Sequence, residues 1–211
     1  VFRGQGGSAR ELADDVLKLA AAEGRGTEEA MQSAIAWSRL GLSRKEAADA
    51  TRVSLMAANV AEMSSAEATQ HLSSIMAGYK MQVSDLASSL GILNQASNTY
   101  RVTNADLLTG MSRVSSIAQQ AGMSFAQLTG TLAVTVQKTG QSGANMANAI
   151  KTVLVRMNRT DVQDFFTGFG LKNITGSAQD LESIWSLYMK VNDEQRRDIL
   201  LKVGSATQAN R

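Results

Sequence analysis

The stretch Val102-Thr103-Asn104-Ala105-Asp106-Leu107, followed by Ala121-Gly122-Met123-Ser124-Phe125-Ala126-Gln127, decides how the chain reads. Thr103 and Ser124 each follow an apolar residue and precede a polar side chain three positions on. A hydroxyl there accepts one of the amide protons that a first helical turn leaves without a partner. Gln127 can reach back to the Ser124 amide, and Asp106 sits where the helix dipole favours an acid. Between the two starts, Leu107, Met111, Val114, Ile117 and Ala121 recur at three- and four-residue steps, with Asp106, Arg113, Ser116 and Gln120 opposite. That period belongs to a helix and not to a strand.

The same start recurs in Leu42-Ser43-Arg44-Lys45-Glu46, Met63-Ser64-Ser65-Ala66-Glu67 and Val83-Ser84-Asp85. Positions 43, 64, 84, 103 and 124 lie 21, 20, 19 and 21 residues apart. The spacing leaves helices of about 12–17 residues with short turns, the geometry of stacked antiparallel hairpins. Gly41 and Gly122 punctuate two of the turns, and Gly91 is expected at a break or a close packing point. Beyond the starts the units share little sequence, so no true sequence repeat is present.

Apolar stripes extend the pattern outward. Leu12, Val16, Leu19 and Ala20 form one, and Met31, Ala34, Ile35 and Ser38 another. Further along come Met146, Ile150, Val153, Leu154 and Met157, then Leu181, Ile184, Trp185, Tyr188 and Val191. Ala47-Ala48, Ala57-Ala58 and Ala144 with Ala147 would let helices approach closely. The chain of 211 residues has 30 alanines and no proline, the residue most hostile to helix interiors. It is expected to be all-α, with consecutive short antiparallel helices forming a module of a longer, mostly helical chain that starts upstream of Val1. Three segments are expected: an N-terminal helical segment at 1–41, a helical core at 42–157 and a C-terminal helical extension at 158–211.

Composition excludes several chemistries. Zero cysteine removes disulfide scaffolds, zinc ribbons and thiol nucleophiles, and the lone His71 leaves no pair for a histidine metal site. The formal charge of +2 balances 21 basic against 19 acidic residues, and aromatics are 5%. A dedicated nucleic-acid groove is not expected from that mixture. No apolar run approaches the roughly 18–20 residues of a membrane span, and the first residues do not resemble a signal peptide.

Residues with chemical potential read as structural ones. The runs Gly4-Gln5-Gly6-Gly7, Gly24-Arg25-Gly26 and Gly168-Phe169-Gly170 lack the strand and the Lys-Ser/Thr of a phosphate loop, and are expected as turns and linkers. His71, with Glu67 and Ile75 one turn away, is expected as a surface ion pair or a packed ring. Asp14-Asp15 and Glu28-Glu29 diverge by about 100° on a helix and cannot converge on one substrate. Asp161 and Asp164 are placed in a first helical turn after Thr160. Lys151, Arg156 and Arg159 form a modest basic edge, expected to be solvated. Met63, Met76, Met81, Met111, Met123, Met146 and Met157 are expected to fill the core. No residue is expected to be catalytic, cofactor-binding or metal-binding.

From about residue 46 to residue 157 the chain resembles the core region of phage tail tape-measure proteins, also called minor tail proteins. The likeness rests on the order of its motifs. A Met-Ser helix start at Met63-Ser64 is followed by a turn at Asn98-Thr99 and by an alanine-rich helix ending in Ala121-Gly122-Met123-Ser124. After a further helix come the turn Gly140-Gln141-Ser142-Gly143 and a last helix closing on Arg156-Met157. The family's usual Ala-Gly-Thr reads Ala144-Asn145-Met146-Ala147 here.

The resemblance implies a structural, non-enzymatic protein of the virion. Such proteins lie in the tail tube and tail tip, set tail length during assembly in the host cytoplasm, and leave on infection to assist genome delivery. The implied partners are tail-tube and tail-tip (distal tail and hub) proteins, other copies of the chain with a trimer favoured, and the host envelope. Sequence-specific nucleic-acid binding and cofactors are not implied. The competing readings are a membrane-active translocator, a peptidoglycan hydrolase and a helical adaptor. The first lacks a basic polar face. For the second no hydrolase domain is visible among these residues; it would need a Glu or Asp in a cleft with a shifted pKa.

Overall fold

The structure, a computed structural model, describes residues 9–204 except 173, 175 and 176. The run Gly4-Gln5-Gly6-Gly7 lies outside the described residues. Eleven α-helices and one 3-10 turn follow one another among those described, without a strand. They are α1 (Ala9–Glu23), α2 (Thr27–Arg39), α3 (Arg44–Val60), α4 (Ser65–Tyr79), the 3-10 turn Val83–Asp85, α5 (Leu86–Tyr100) and α6 (Asn104–Gln120). Then come α7 (Phe125–Thr139), α8 (Gly143–Met157), α9 (Thr160–Gly168), α10 (Ala178–Lys190) and α11 (Asp193–Val203). The chain is all-α.

Four of the five expected helix starts form as read. Ser43, Ser64 and Ser124 make reciprocal caps with Glu46, Glu67 and Gln127, and the Asp106 amide donates to the Thr103 hydroxyl at 3.0 Å. The fifth start departs from expectation. α5 begins at Leu86, after a turn in which the Gln82 amide donates to the Asp85 carboxylate at 3.0 Å. The acid stands only one residue after Ser84, so it reaches back to residue 82 and takes over the cap. Ser142, Ser177 and Asn192 supply three more caps by the same chemistry.

Helices α1 to α8 stack in two layers of parallel helices, and each consecutive pair is antiparallel. In the even layer, Glu29 of α2 meets Ser65 of α4 and Ser33 meets Thr69, both 36 residues on. Gly78 of α4 meets Ser115 of α6, and the Gly143 amide of α8 donates to the Asp106 carboxylate of α6 at 2.7 Å, each 37 residues apart. In the odd layer, the Asn59 amide group of α3 donates to the Glu23 carbonyl of α1, again 36 residues apart. The register therefore repeats every hairpin although the sequence does not, a solenoid-like stack whose hairpins touch their neighbours.

Small side chains set the spacing. A Cβ on Gly78 would lie 2.5 Å from the Ser115 Cβ, and one on Gly143 would overlap the Asp106 backbone carbonyl. Ala47, Ala57, Ala58 and Ala147 are fully buried. Gly91, by contrast, is inside an unbroken α5 with no neighbour within 4 Å of where its Cβ would stand. It is neither a break nor a packing point, because its side of α5 faces solvent.

One core runs from Leu12 to Leu154 and joins α1 through α8. Its largest fully buried side chain is Trp37, whose indole N–H donates to Ser54 at 2.9 Å. A second, smaller core gathers Met157, Val162, Phe166, Ile174, Ile184 and Ile199 from α8 to α11. Two stripe residues leave the core. Ile35 is 47% exposed because α2 turns Ala34 and Trp37 inward instead, and Trp185 is 63% exposed while Ile184 takes the inner position.

Candidate functional site

His71 is the one imidazole, and the fold seats it on the seam between α4 and α6. The Ser112 hydroxyl donates to the Thr109 carbonyl at 2.9 Å, so it accepts from His71 Nδ1 at 2.9 Å. Thr109 Oγ1 lies 3.4 Å from Nε2 and can donate to it. Both ring nitrogens thus have partners in the neutral form. Desolvation lowers the His71 pKa, opposed by the charge of Glu67 and aided by that of Arg113. The ring is a half-buried packing element and not a surface ion pair. The Glu67 carboxylate is committed to Ser64, accepting from its hydroxyl at 2.8 Å and from its amide at 3.1 Å. Those two bonds hold its pKa below the usual carboxylate value.

The seam on the other side of α4, against α2, is polar as well. Thr69 donates to the Ser65 carbonyl, which leaves Ser33 to donate to Thr69 at 2.7 Å. Ser65 donates to Glu29 at 2.9 Å. Beside these contacts a groove of about 330 Å³ opens between α2 and α4, lined by Gln32, Ser33, Ala36, Leu40, Thr69 and Gln70. It holds no titratable pair that could exchange a proton with a substrate.

The paired acids are not brought together. Asp15 binds Arg44 at 3.3 Å and Glu29 binds Arg25 at 3.5 Å, while Asp14 and Glu28 face solvent. Asp161 lies in the first turn of α9, where Arg159 at 2.9 Å and Lys202 at 3.7 Å face it. Against a desolvation that raises it, the Arg159 hydrogen bond and the two positive charges hold the Asp161 carboxyl below its usual value. The basic edge is therefore shared with acids: Arg156 and Arg159 line one depression with Asp161 and Asp198. Gly24 and Gly170, with φ of +66° and +84°, mark turns where phosphate loops were considered.

Met111, Met123 and Met157 are buried, and Met63, Met76, Met81 and Met146 pack on the core. The methionines thus fill space as expected, except that Met189 is 57% exposed on α10. Its spacing of four from Trp185 is the one signal in the sequence that points to an outward face. Among the described residues no three His, Cys, Asp or Glu side chains could share a metal ion, and no helix is long and apolar enough to cross a membrane.

What these contacts define is a scaffold of stacked helices whose polar groups bind one another between neighbouring helices. The sequence of residues 9–204 matches the phage-related minor tail protein family, and the chain belongs to that family. It is thus a structural protein of a phage tail, a virion component. No solved structure matches it.

Proposed function

We propose that this chain is a folded module of a tape-measure protein that lies in the tail lumen and tail tip, sets tail length during assembly and assists genome delivery. The family match across nearly the whole described chain carries the reading, together with the order of tape-measure motifs at residues 46–157. Its partners are tail-tube and tail-tip subunits and other copies of itself, with the host envelope met on ejection. The packing supports passage through a tube. Each hairpin packs mainly on its neighbours, so the stack can come apart hairpin by hairpin.

Deletions in the full-length gene test this reading through tail length. Removing about 37 residues shortens the tail by about 55 Å if they run as a helix along the tube. The same deletion shortens it by about 10 Å if they stay stacked as one hairpin. Deletions of helix flanking this module are expected to follow the first figure, and deletion of one hairpin from the stack the second. Tail lengths indifferent to every deletion overturn the ruler assignment.

A further inference from the structure

Helix α10 carries the most exposed large apolar side chains of the described residues, Trp185 at 63% and Met189 at 57%. With Glu182 and Ser186 they form its outward strip, and Lys190, also exposed, ends it. Trp185 is held in place. Its ring stacks on Tyr188 with centroids 5.6 Å apart and planes 15° from parallel. The Arg196 guanidinium lies 5.6 Å from the Tyr188 ring centre, and its Nε donates to the Tyr188 carbonyl at 3.0 Å. An indole ordered before a partner arrives loses little entropy on binding. Trp, Tyr and Arg are also the side chains in which interface energy concentrates.

We propose that this face pairs with α10 of a second copy of the chain, antiparallel about a two-fold axis near Ser186. The charges on the strip choose the occupant. Glu182 and Lys190 lie four residues to either side of residue 186. An antiparallel copy therefore sets Glu182 beside the partner's Lys190, twice, and opposes the two helix dipoles. Each Trp185 then lies over the partner's Ser186 and against the partner's Met189, about 3 Å along the axis. A parallel pair, or a threefold ring with α10 along its axis, sets Glu182 on Glu182 and Lys190 on Lys190. Like charges so placed repel, so the free chain pairs two-fold where the family resemblance implies three copies. The pairing stands or falls independently of the length-setting reading.

Sedimentation equilibrium of the 211-residue chain tests it, with far-UV circular dichroism to confirm that each variant keeps its helices. A concentration-dependent shift from 22.5 kDa to twice that mass is expected. Trp185→Ala weakens dimerisation by about a hundredfold or more. Glu182→Lys and Lys190→Glu each weaken it by about tenfold, and the double swap restores it. A mass that stays monomeric, a trimer, or a dimer indifferent to these changes overturns the proposal, as does a double swap that fails to rescue.

Discussion

The stack α1–α8 and the terminal group α9–α11 solve the same packing problem with different residues. In the stack, helices approach until backbone meets side chain, as at Gly78 and Gly143, and hydroxyls join neighbouring helices of one layer. In the terminal group, a few large side chains carry the load. Phe165 lies edge-on to Phe166 and tilts on Phe169, and α11 buries Ile199 alone. The stack also buries Trp37, Leu55, Leu72, Leu107, Leu128 and Leu132 completely, so its stability is spread over many side chains, whereas the terminal group relies on a few. The terminal group should therefore open first and fail through single residues.

The largest effect is expected at Phe166, which is fully buried in the second core. Phe166→Ala should cost about 3–5 kcal/mol locally. Hydrogen exchange should show α9–α11 losing protection while α1–α8 keep theirs. Loss of protection throughout would merge the two regions into one cooperative unit and break the contrast.

Next comes the close approach of α6 and α8. Gly143→Ala places a methyl on the Asp106 carbonyl and is expected to cost about 3 kcal/mol as the helices part. Gly91→Ala, on the solvent side of α5, should instead stabilise by about 0.5–1 kcal/mol. Urea midpoints moving in opposite directions check both. Two shifts of one sign would mean that backbone approach does not set the spacing of α6 and α8.

Much of the fold was legible because helix starts are local. Ser43, Ser64, Thr103 and Ser124 cap as read because the cap and its responding side chain stand three residues apart in the sequence. Turns were harder where no glycine marked them. Glu62, Lys80 and Arg101 take left-handed φ values of 52°, 55° and 54° after α3, α4 and α5, conformations that composition does not announce. The 36–37-residue register was hidden because it rests on Gly–Ser and Ser–Thr contacts, which many sequences could satisfy. Ile35 and Trp185 were placed inward because periodicity gives a stripe, and the neighbouring helices then choose which side of the stripe to cover. On chemistry, His71 was read as a surface ion pair or a packed ring. The ring is right, but its partners Ser112 and Thr109 lie on another helix, beyond local reading.

A smaller effect separates real caps from apparent ones. Ser64→Ala, which removes a reciprocal cap, should cost about 1 kcal/mol. Ser84→Ala should cost little, because Asp85 holds that turn. Thermal midpoints of the two variants side by side give the comparison. Equal losses would show that the 3-10 turn depends on the Ser84 hydroxyl after all.

The smallest effect is pH-dependent and should touch the stack alone. Desolvation places the folded pKa of His71 below its unfolded value, so the unfolded chain binds the proton first. Its contribution is complete above about pH 6.5 and is lost as pH falls from there through the folded pKa. Glu67 and Arg113, the charges facing the ring, pull in opposite directions and leave burial in control. The depressed carboxylates follow the same sign, but at lower pH. Asp161, paired with Arg159 and Lys202, stays charged to lower pH than a free aspartate does. Between about pH 6.5 and 5, mild acid should therefore loosen the α4–α6 seam while the α9–α11 contacts hold. Hydrogen exchange at pH 7 and pH 5, scaled for intrinsic rates, should show that difference, and His71→Gln should flatten it. If α9–α11 respond as strongly as α4 and α6, or the variant keeps the wild-type profile, His71 does not couple the seam to pH.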